Sequence, residues 1–243
     1  MTIKANSSQS PATPARRRIF LVDDHPIVRT GLRLLIGQED DLEVCGEAGS
    51  YAEAISAMLR EKPDVAIIDI SLDGSNGIDL LRQLQRQSPE TQVLVLSMHD
   101  ESLYAERAMR AGARGYLMKQ QRPETALQAI RTVLAGELYL SDRVKSQMVQ
   151  ELVDGAPASH GKSGIERLSD RELEIFQMLG AGYTVRDIAT RLNLSVKTVE
   201  THRDHIRQKL RLRNSIEVLH HAIRWVTGES EGLLRGAEDG EGA

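Results

Sequence analysis

Residues 19–26 read IFLVDDHP, four apolar side chains followed at once by two aspartates, a histidine and a proline. An unbroken apolar run of this kind suits a parallel β-strand covered on both faces. Two adjacent carboxylates at its end repel each other and lose hydration wherever they are shielded from water. Either the strand has reached solvent and turns into a helix, with Asp24 as its cap, or something positive sits there: a metal ion, a lysine, or both. His25 and Pro26 start the first helix, with Pro26 at a position where no amide is needed.

The same strand pattern extends to RIFLV (18–22), LEVCG (42–46), DVAIID (64–69), QVLVLSM (92–98) and RGYLM (114–118). Between these segments apolar residues fall on single helical faces: Val28, Leu32 and Leu35; Ala54, Ile55 and Met58; Ile78, Leu81 and Leu84; Tyr104, Ala108 and Met109; Ala126, Ile130 and Val133. Repeated strand–helix alternation requires right-handed crossovers and yields an α/β doubly wound, five-stranded parallel sheet. Ligands of such sheets bind outside the carboxyl ends of the strands. Asp23 and Asp24 follow the first strand, Asp69 closes the third, Ser97 lies in the fourth and Lys119 follows the fifth. Each has an ordinary alternative: a helix cap, a local backbone bond, a solvated end. Together, three carboxylates, a hydroxyl and an ammonium on one edge make a less accidental set.

Hard carboxylate oxygens suit Mg²⁺, which commonly bridges protein carboxylates to phosphate oxygens. A carboxylate also attacks phosphorus to give an acyl phosphate, and the charge that develops needs cations and hydrogen-bond donors. On these grounds Asp69 is the candidate nucleophile, Asp23 and Asp24 the metal site, Lys119 a counter-ion and Ser97 a donor to a phosphoryl oxygen. No general acid is evident, so turnover of an external substrate is not implied.

DDHP, DISLDGSNG, LSM and YLMK, in this order and spacing, resemble the motifs of a response-regulator receiver domain across residues 18–140. The resemblance implies a flavodoxin-like fold, Asp69 as the phosphoacceptor, the backbone carbonyl of Ser71 as a further Mg²⁺ ligand, and Tyr116 as the aromatic switch residue. A buried strand tyrosine is the plain alternative for Tyr116. The chain departs from the family at Asp73, where proline is usual.

Composition bounds the rest. Hydrophobic residues make up 40% of the 243, and no apolar run approaches the length of a membrane span, about 20 residues. The opening residues lack the apolar core of a secretory signal. The single cysteine, Cys45, excludes an intramolecular disulfide framework and fits a reducing cytoplasm. The net charge of −4 conceals an asymmetry: residues 197–213 carry six basic side chains against two acidic ones. A concentrated basic stripe suggests an anionic partner, nucleic acid among them. Residues 1–15 and 229–243 read as disordered tails, the second one acidic. Val144, Met148, Val149 and Leu152 make a short amphipathic helix before DGAPASHGKSG (154–164), which has the composition of a tether. The division is therefore 16–140, a linker over 141–165, and a second domain over 166–228.

That second domain repeats one helix-start design at Leu168–Ser169–Leu173, Tyr183–Thr184–Ile188 and Leu194–Ser195–Val199. Glu172 and Asp187 complete capping boxes with hydrophobic staples. Asn193 ends the second helix, a fourth starts at Asn214 with Glu217 as capping partner, and the short connection before the third suits a helix-turn-helix. At 100° per residue, Val199, Ile206 and Leu210 of the third helix face the core. Lys197, Glu200, Thr201, Asp204 and Gln208 face outward, flanked by Arg203, His205, Arg207 and Lys209. Basic flanks meet phosphates and the outer face meets base edges, unless this is an ordinary solvated helix.

The stretch LSDRELEIFQMLGAGYTVRDIATRLNLSVKTVETHRDHIRQKL is similar to the LuxR-type helix-turn-helix, and its pairing with a receiver is the arrangement of NarL/FixJ response regulators. The resemblance implies a four-helix, all-α domain that binds double-stranded DNA. It also implies a histidine kinase as phosphoryl donor, a cytoplasmic location and no membrane contact. By matched position Glu200, Thr201 and Asp204 read bases, while Lys197, Thr198 and Lys209 contact the backbone or groove edge. It further implies homodimerisation through the last helix, with Val218, His221, Ala222 and Trp225 as contacts; a core role for Trp225 is the alternative. The competing functions are a Mg²⁺-dependent phosphatase using Asp69, disfavoured because Ser71 stands where an acid is expected, and an interaction module that no longer binds DNA.

Overall fold

The computed structural model describes residues 15–72, 75–153 and 164–227. Asp73 and most of the two tails and the tether lie outside the described residues. The first half alternates β1 (Arg17–Val22), α1 (Pro26–Ile36), β2 (Leu42–Ala48), α2 (Tyr51–Glu61), β3 (Val65–Ile68), β4 (Ser71–Leu72), β5 (Ser75–Asn76), α3 (Gly77–Gln87), β6 (Gln92–Ser97), α4 (Glu101–Arg110), β7 (Gly115–Met118) and α5 (Pro123–Leu134). Strands β2-β1-β3-β6-β7 form one sheet, every pair parallel, as the alternation requires. The order places β1 and β3 side by side, so their carboxyl ends open onto one crevice. The two-residue strands β4 and β5 pair antiparallel beyond β3; they are too short for any periodicity to announce.

Both faces of the sheet are covered, which explains the unbroken apolar strands. Phe20, Val22, Ala66, Ile68, Val93, Val95 and Tyr116 join one cluster; Ile19, Leu21, Val65, Ile67, Leu94 and Leu117 join the other. Helix α1 begins with Pro26 in its first turn and His25 as the residue before it, without a side-chain cap. Asp24 is thus not the cap of α1. Cys45 is half-buried in β2, its thiol directed at the Ile19 carbonyl.

Helix α6 (Asp142–Val153) follows, with Val144 buried and Val149 exposed. A short 3₁₀ turn (Ile165–Arg167) then leads to α7 (Asp170–Gly180), α8 (Val185–Arg191), α9 (Val196–Lys209) and α10 (Ser215–Val226). Ser169 and Glu172, and Thr184 and Asp187, form reciprocal capping boxes; Ser195 and Asn214 cap α9 and α10. Asn193 takes up a left-handed conformation at φ 49° just after α8, a role that asparagine tolerates well. Helices α7 and α10 pack so closely that a Cβ on Gly180 would meet the Ala222 carbonyl at 2.4 Å.

The helical half is docked on the sheet half through α4. Asp170, at the start of α7, is buried and receives Arg107 and Arg82, both at 3.0 Å. Arg107 also donates to the Leu168 carbonyl at 2.7 Å, and the Tyr104 hydroxyl meets Gln177 at 2.9 Å. No helix among the described residues is long and apolar enough to cross a membrane.

Candidate functional site

Strand order brings the polar strand ends together. Asp23 and Asp69 are each 3% exposed at the ends of neighbouring β1 and β3, and Ser97 is fully buried at the end of β6. The Lys119 ammonium, just past β7, bridges Asp23 Oδ2 at 2.6 Å and Asp69 Oδ2 at 2.7 Å. Lys119 is therefore not a solvated strand end. Asp24 completes the acidic set: its Oδ1 is shut off from solvent without a hydrogen bond of good geometry, although His25 Nδ1 lies 2.6 Å away. The His25 amide also donates to Asp23 Oδ1 at 2.9 Å. His25, which the sequence marks only as a helix start, thus belongs to the cluster.

Burial pushes the Asp69 carboxyl up to about 6, against the lowering influence of Lys119 and with a further raising contribution from Asp23. The same pairing raises Lys119 although burial alone would lower it. Three carboxylates face a single ammonium, and one oxygen is buried without a proper donor. Asp23, Asp24, His25 and Asp69 offer ligand atoms within 4.8 Å of one another. This donor set fits a hard divalent cation, whose charge would offset the repulsion.

Ser71 lies two residues past Asp69, its amide donating to Asp69 Oδ1 at 3.3 Å and its hydroxyl 2.7 Å from His99 Nε2. Ser97 Oγ accepts the His99 amide at 3.1 Å, the local backbone bond that serine commonly makes. Tyr116 is buried in β7 and its hydroxyl donates to the His99 carbonyl at 2.9 Å. Burial, above all, lifts that phenol well above its ordinary value and lowers the His99 imidazole. Sequence reasoning missed His99: a lone histidine after a strand carries no pattern.

On α9, Val199 and Ile206 are buried, whereas Lys197, Glu200, Thr201 and Asp204 are exposed on the opposite face. Thr198 is half-buried and its hydroxyl lies 2.7 Å from Ser195 Oγ; Thr201 Oγ1 donates to the Lys197 carbonyl. Lys209 is placed differently from a free backbone contact. Its ammonium sits on Glu172 at 2.5 Å, tying α9 to the cap of α7. Glu172, His202 and His205 also cluster, and Lys209 is the cation on the Glu172 carboxylate. On α10, Val218 and Ala222 are fully buried against the core and are unavailable to a second copy. Trp225 is half-buried, its ring 5.9 Å from Phe176, so it serves the core as well. The exposed apolar residues of α10 are Ile216, Leu219, Ile223 and Val226, one helical turn apart, with Val226 at the edge beside Gly180 of α7.

Comparisons with known proteins agree with this architecture. Residues 19–131 match the response regulator receiver domain, and residues 166–222 match the bacterial regulatory proteins of the luxR family. The chain is 36% identical over 210 residues to the oxygen regulatory protein NreC of Staphylococcus carnosus, covering 85% of this chain and 97% of that protein. Among solved structures it resembles a LuxR-family two-component response regulator from Aurantimonas sp. SI85-9A1, 36% identical with TM-score 0.53, over 57% of this chain and 99% of that one. It also resembles RcsB of Salmonella enterica serovar Typhimurium bound to promoter P1flhDC with the phosphomimetic BeF3−, 26% identical with TM-score 0.57, over 85% and 98% of the two chains. A receiver fold with its acidic crevice and a LuxR-type helical domain, matched end to end in such relatives, place this chain in the family of two-component response regulators with a LuxR-type DNA-binding domain.

Proposed function

We propose that this chain is a DNA-binding transcription regulator switched by phosphorylation of Asp69. The observation that carries the proposal is the Lys119 ammonium bridging Asp23 and Asp69 within a cluster short of positive charge. A histidine kinase supplies the phosphoryl group. An Asp69 oxygen attacks phosphorus, the P–N bond of the phosphohistidine breaks, an acyl phosphate forms, and the leaving imidazole takes up a proton. Mg²⁺, held by Asp23, Asp24, Asp69 and the Ser71 carbonyl, would supply charge neutralisation on the transferring oxygens. Lys119 holds a second positive charge there, Ser97 turns to donate to a phosphoryl oxygen, and Tyr116 follows it as the switch residue. No carboxylate stands two residues after Asp69, and the Ser71 hydroxyl is engaged by His99. Turnover is thus confined to slow hydrolysis of the chain's own acyl phosphate.

The receiver occupies residues 16–140, the linker 141–165 and the DNA-binding domain 166–228. Glu200, Thr201 and Asp204 reach base edges, with Lys197 and Thr198 on the groove edge; Lys209 joins them on release from Glu172. Two copies pair on DNA through the exposed stripe of α10, in the cytoplasm, where kinase and DNA meet.

The experiment is phosphoryl labelling with a small-molecule phosphodonor and Mg²⁺. Wild type is expected to label and Asp69→Asn not; equal labelling overturns the assignment. Selecting bound fragments from random DNA with the labelled protein then tests the second half. Half-sites about one helical turn apart are expected for a dimer, with affinity falling steeply with salt. No binding at any salt would leave an interaction module instead, and steady turnover of a phosphomonoester would leave a phosphatase.

A further inference from the structure

We propose that His99 is a positioning residue that couples the Asp69 site to the docking of the DNA-binding domain. The proposal rests on the phosphorylation-switch reading. His99 is held on one side by three residues of the acceptor crevice. Its Nε2 lies 2.7 Å from Ser71 Oγ, its amide donates to Ser97 Oγ at 3.1 Å, and its carbonyl accepts the Tyr116 hydroxyl at 2.9 Å. On the other side its ring stacks on Tyr104, with centroids 4.5 Å apart and planes 29° from parallel. Tyr104 is buried in α4, and its hydroxyl meets Gln177 of α7 at 2.9 Å. Gln177 also lies within hydrogen-bonding reach of the His99 ring. One residue therefore touches the acceptor loop, both switch side chains and, directly and through Tyr104, the helical domain.

The geometry makes the two sides interdependent. A Ser97 hydroxyl that turns toward a phosphoryl oxygen no longer accepts from the His99 amide in this position, and a Tyr116 that follows gives up the His99 carbonyl. With those ties gone, the stack on Tyr104 and the contact with Gln177 lose their support. The remaining clamp is Asp170 with Arg82 and Arg107 and the Leu168 carbonyl with Arg107; Arg82 keeps Asp79 as a partner on its own side. In the docked arrangement Lys197, Glu200, Thr201 and Asp204 are already exposed. Docking hence restrains where α9 points rather than covering it, and release frees two copies to match their half-sites.

The test compares full-length wild type, Asp69→Asn, His99→Ala, His99→Phe and Gln177→Ala. Small-angle scattering of the monomer peak is measured with and without beryllofluoride and Mg²⁺, and beryllofluoride affinity by calorimetry. Wild type should be compact and expand with beryllofluoride; His99→Ala and Gln177→Ala should be expanded without it, and a variant carrying both substitutions no more so. By reciprocity, a variant that opens the docking binds beryllofluoride more tightly, by about 5-fold or more. His99→Phe loses the Ser71 tie and the ring's own reach to Gln177 but keeps the ring stack and with it the Tyr104 bond to Gln177, so it should stay compact and respond weakly; a purely structural role for His99 would leave its response that of wild type. Should His99→Ala lose its circular-dichroism signal, His99→Phe and Gln177→Ala carry the test. The proposal is overturned if His99→Ala is as compact as wild type and binds beryllofluoride equally. A wild type that ignores beryllofluoride, like Asp69→Asn, would instead remove Asp69 as acceptor, while the scattering of His99→Ala alone still decides the docking role.

Discussion

Gly77 is the first residue of α3, and a Cβ placed there would lie 1.9 Å from the Asp69 carbonyl oxygen, 2.8 Å from its carbon and 2.9 Å from the Ile70 Cα. All three are backbone atoms, so no side chain can swing aside. Carbon–oxygen contacts become comfortable from about 3.3 Å, so Gly77→Ala must open the loop by roughly 1.4 Å. The Gly77 amide bond to the Ile70 carbonyl, at 2.7 Å, stands in the same place and must stretch or break. Overpacking of this kind costs about 1–3 kcal/mol and the strained hydrogen bond about 1 more, which corresponds to a fall in Tm of roughly 10 °C for a domain of this size. The displacement falls on the acceptor itself, and misplacing a reacting group by about 1 Å costs on the order of 10²-fold in rate. The assay is the initial rate of phosphoryl labelling with a small-molecule donor and Mg²⁺, alongside a thermal melt. If Gly77→Ala labels within about twofold of wild type, far from that 10²-fold loss, the close approach of α3 to the Asp69 carbonyl is refuted.

Gly31, inside α1, has nothing within 4 Å of an added Cβ. Gly31→Ala should therefore stabilise the receiver by about 0.5–1 kcal/mol, seen as a higher denaturant midpoint at unchanged slope. Glu172 is buried, accepts the Ser169 amide at 2.7 Å and holds Lys209; Glu172→Gln should cost the helical domain about 1–3 kcal/mol in chemical denaturation. Burial raises the Glu172 carboxyl, but Lys209 and the Ser169 groups outweigh it, and the net shift from 4.5 is downward. Its stabilisation is therefore complete above the unfolded value and lost as pH falls below it through the lowered folded value. Wild type should weaken across that acid window, and a variant that weakens equally there would refute the role. Glu200→Gln on the exposed face of α9 should shift base preference at one position from cytosine toward adenine, by about 1–3 kcal/mol. In binding to selected fragments, an unchanged preference would remove Glu200 from the readers.

The sheet was legible because IFLV, VAII and VLVL are buried on both faces and so show no alternation to confuse with a surface strand. The capping boxes were legible for a similarly local reason, since partner and cap lie three residues apart. What escaped the sequence depends on distance along the chain. Asp170 meets Arg82 and Arg107, which lie 88 and 63 residues away, and neither spacing leaves a periodic trace. Lys209 looked free on a basic flank because its partner, Glu172, belongs to a different helix 37 residues earlier. Helix α10 shows the opposite failure. Val218 and Ala222 are four residues apart, an apolar stripe that suits a dimer face or a core face equally. Only the close approach of α7 at Gly180 decides for the core.

Charge explains why the acceptor crevice and the docking surface would be coupled at all. Asp23, Asp24 and Asp69 against Lys119 leave an excess of negative charge for a divalent cation to meet. Phosphorylating Asp69 replaces one carboxylate charge with a group carrying about −1.5 to −2. The added charge falls beside a buried lysine already shared with Asp23, so Lys119 alone cannot absorb it. A hydroxyl at the neighbouring strand end is that of Ser97, which at rest accepts from the His99 amide and bonds the Tyr116 phenol. Turning that hydroxyl toward the new charge is also the motion that loosens His99. The two aspartates that end IFLV thereby set the electrostatic imbalance from which a movement at α7 follows.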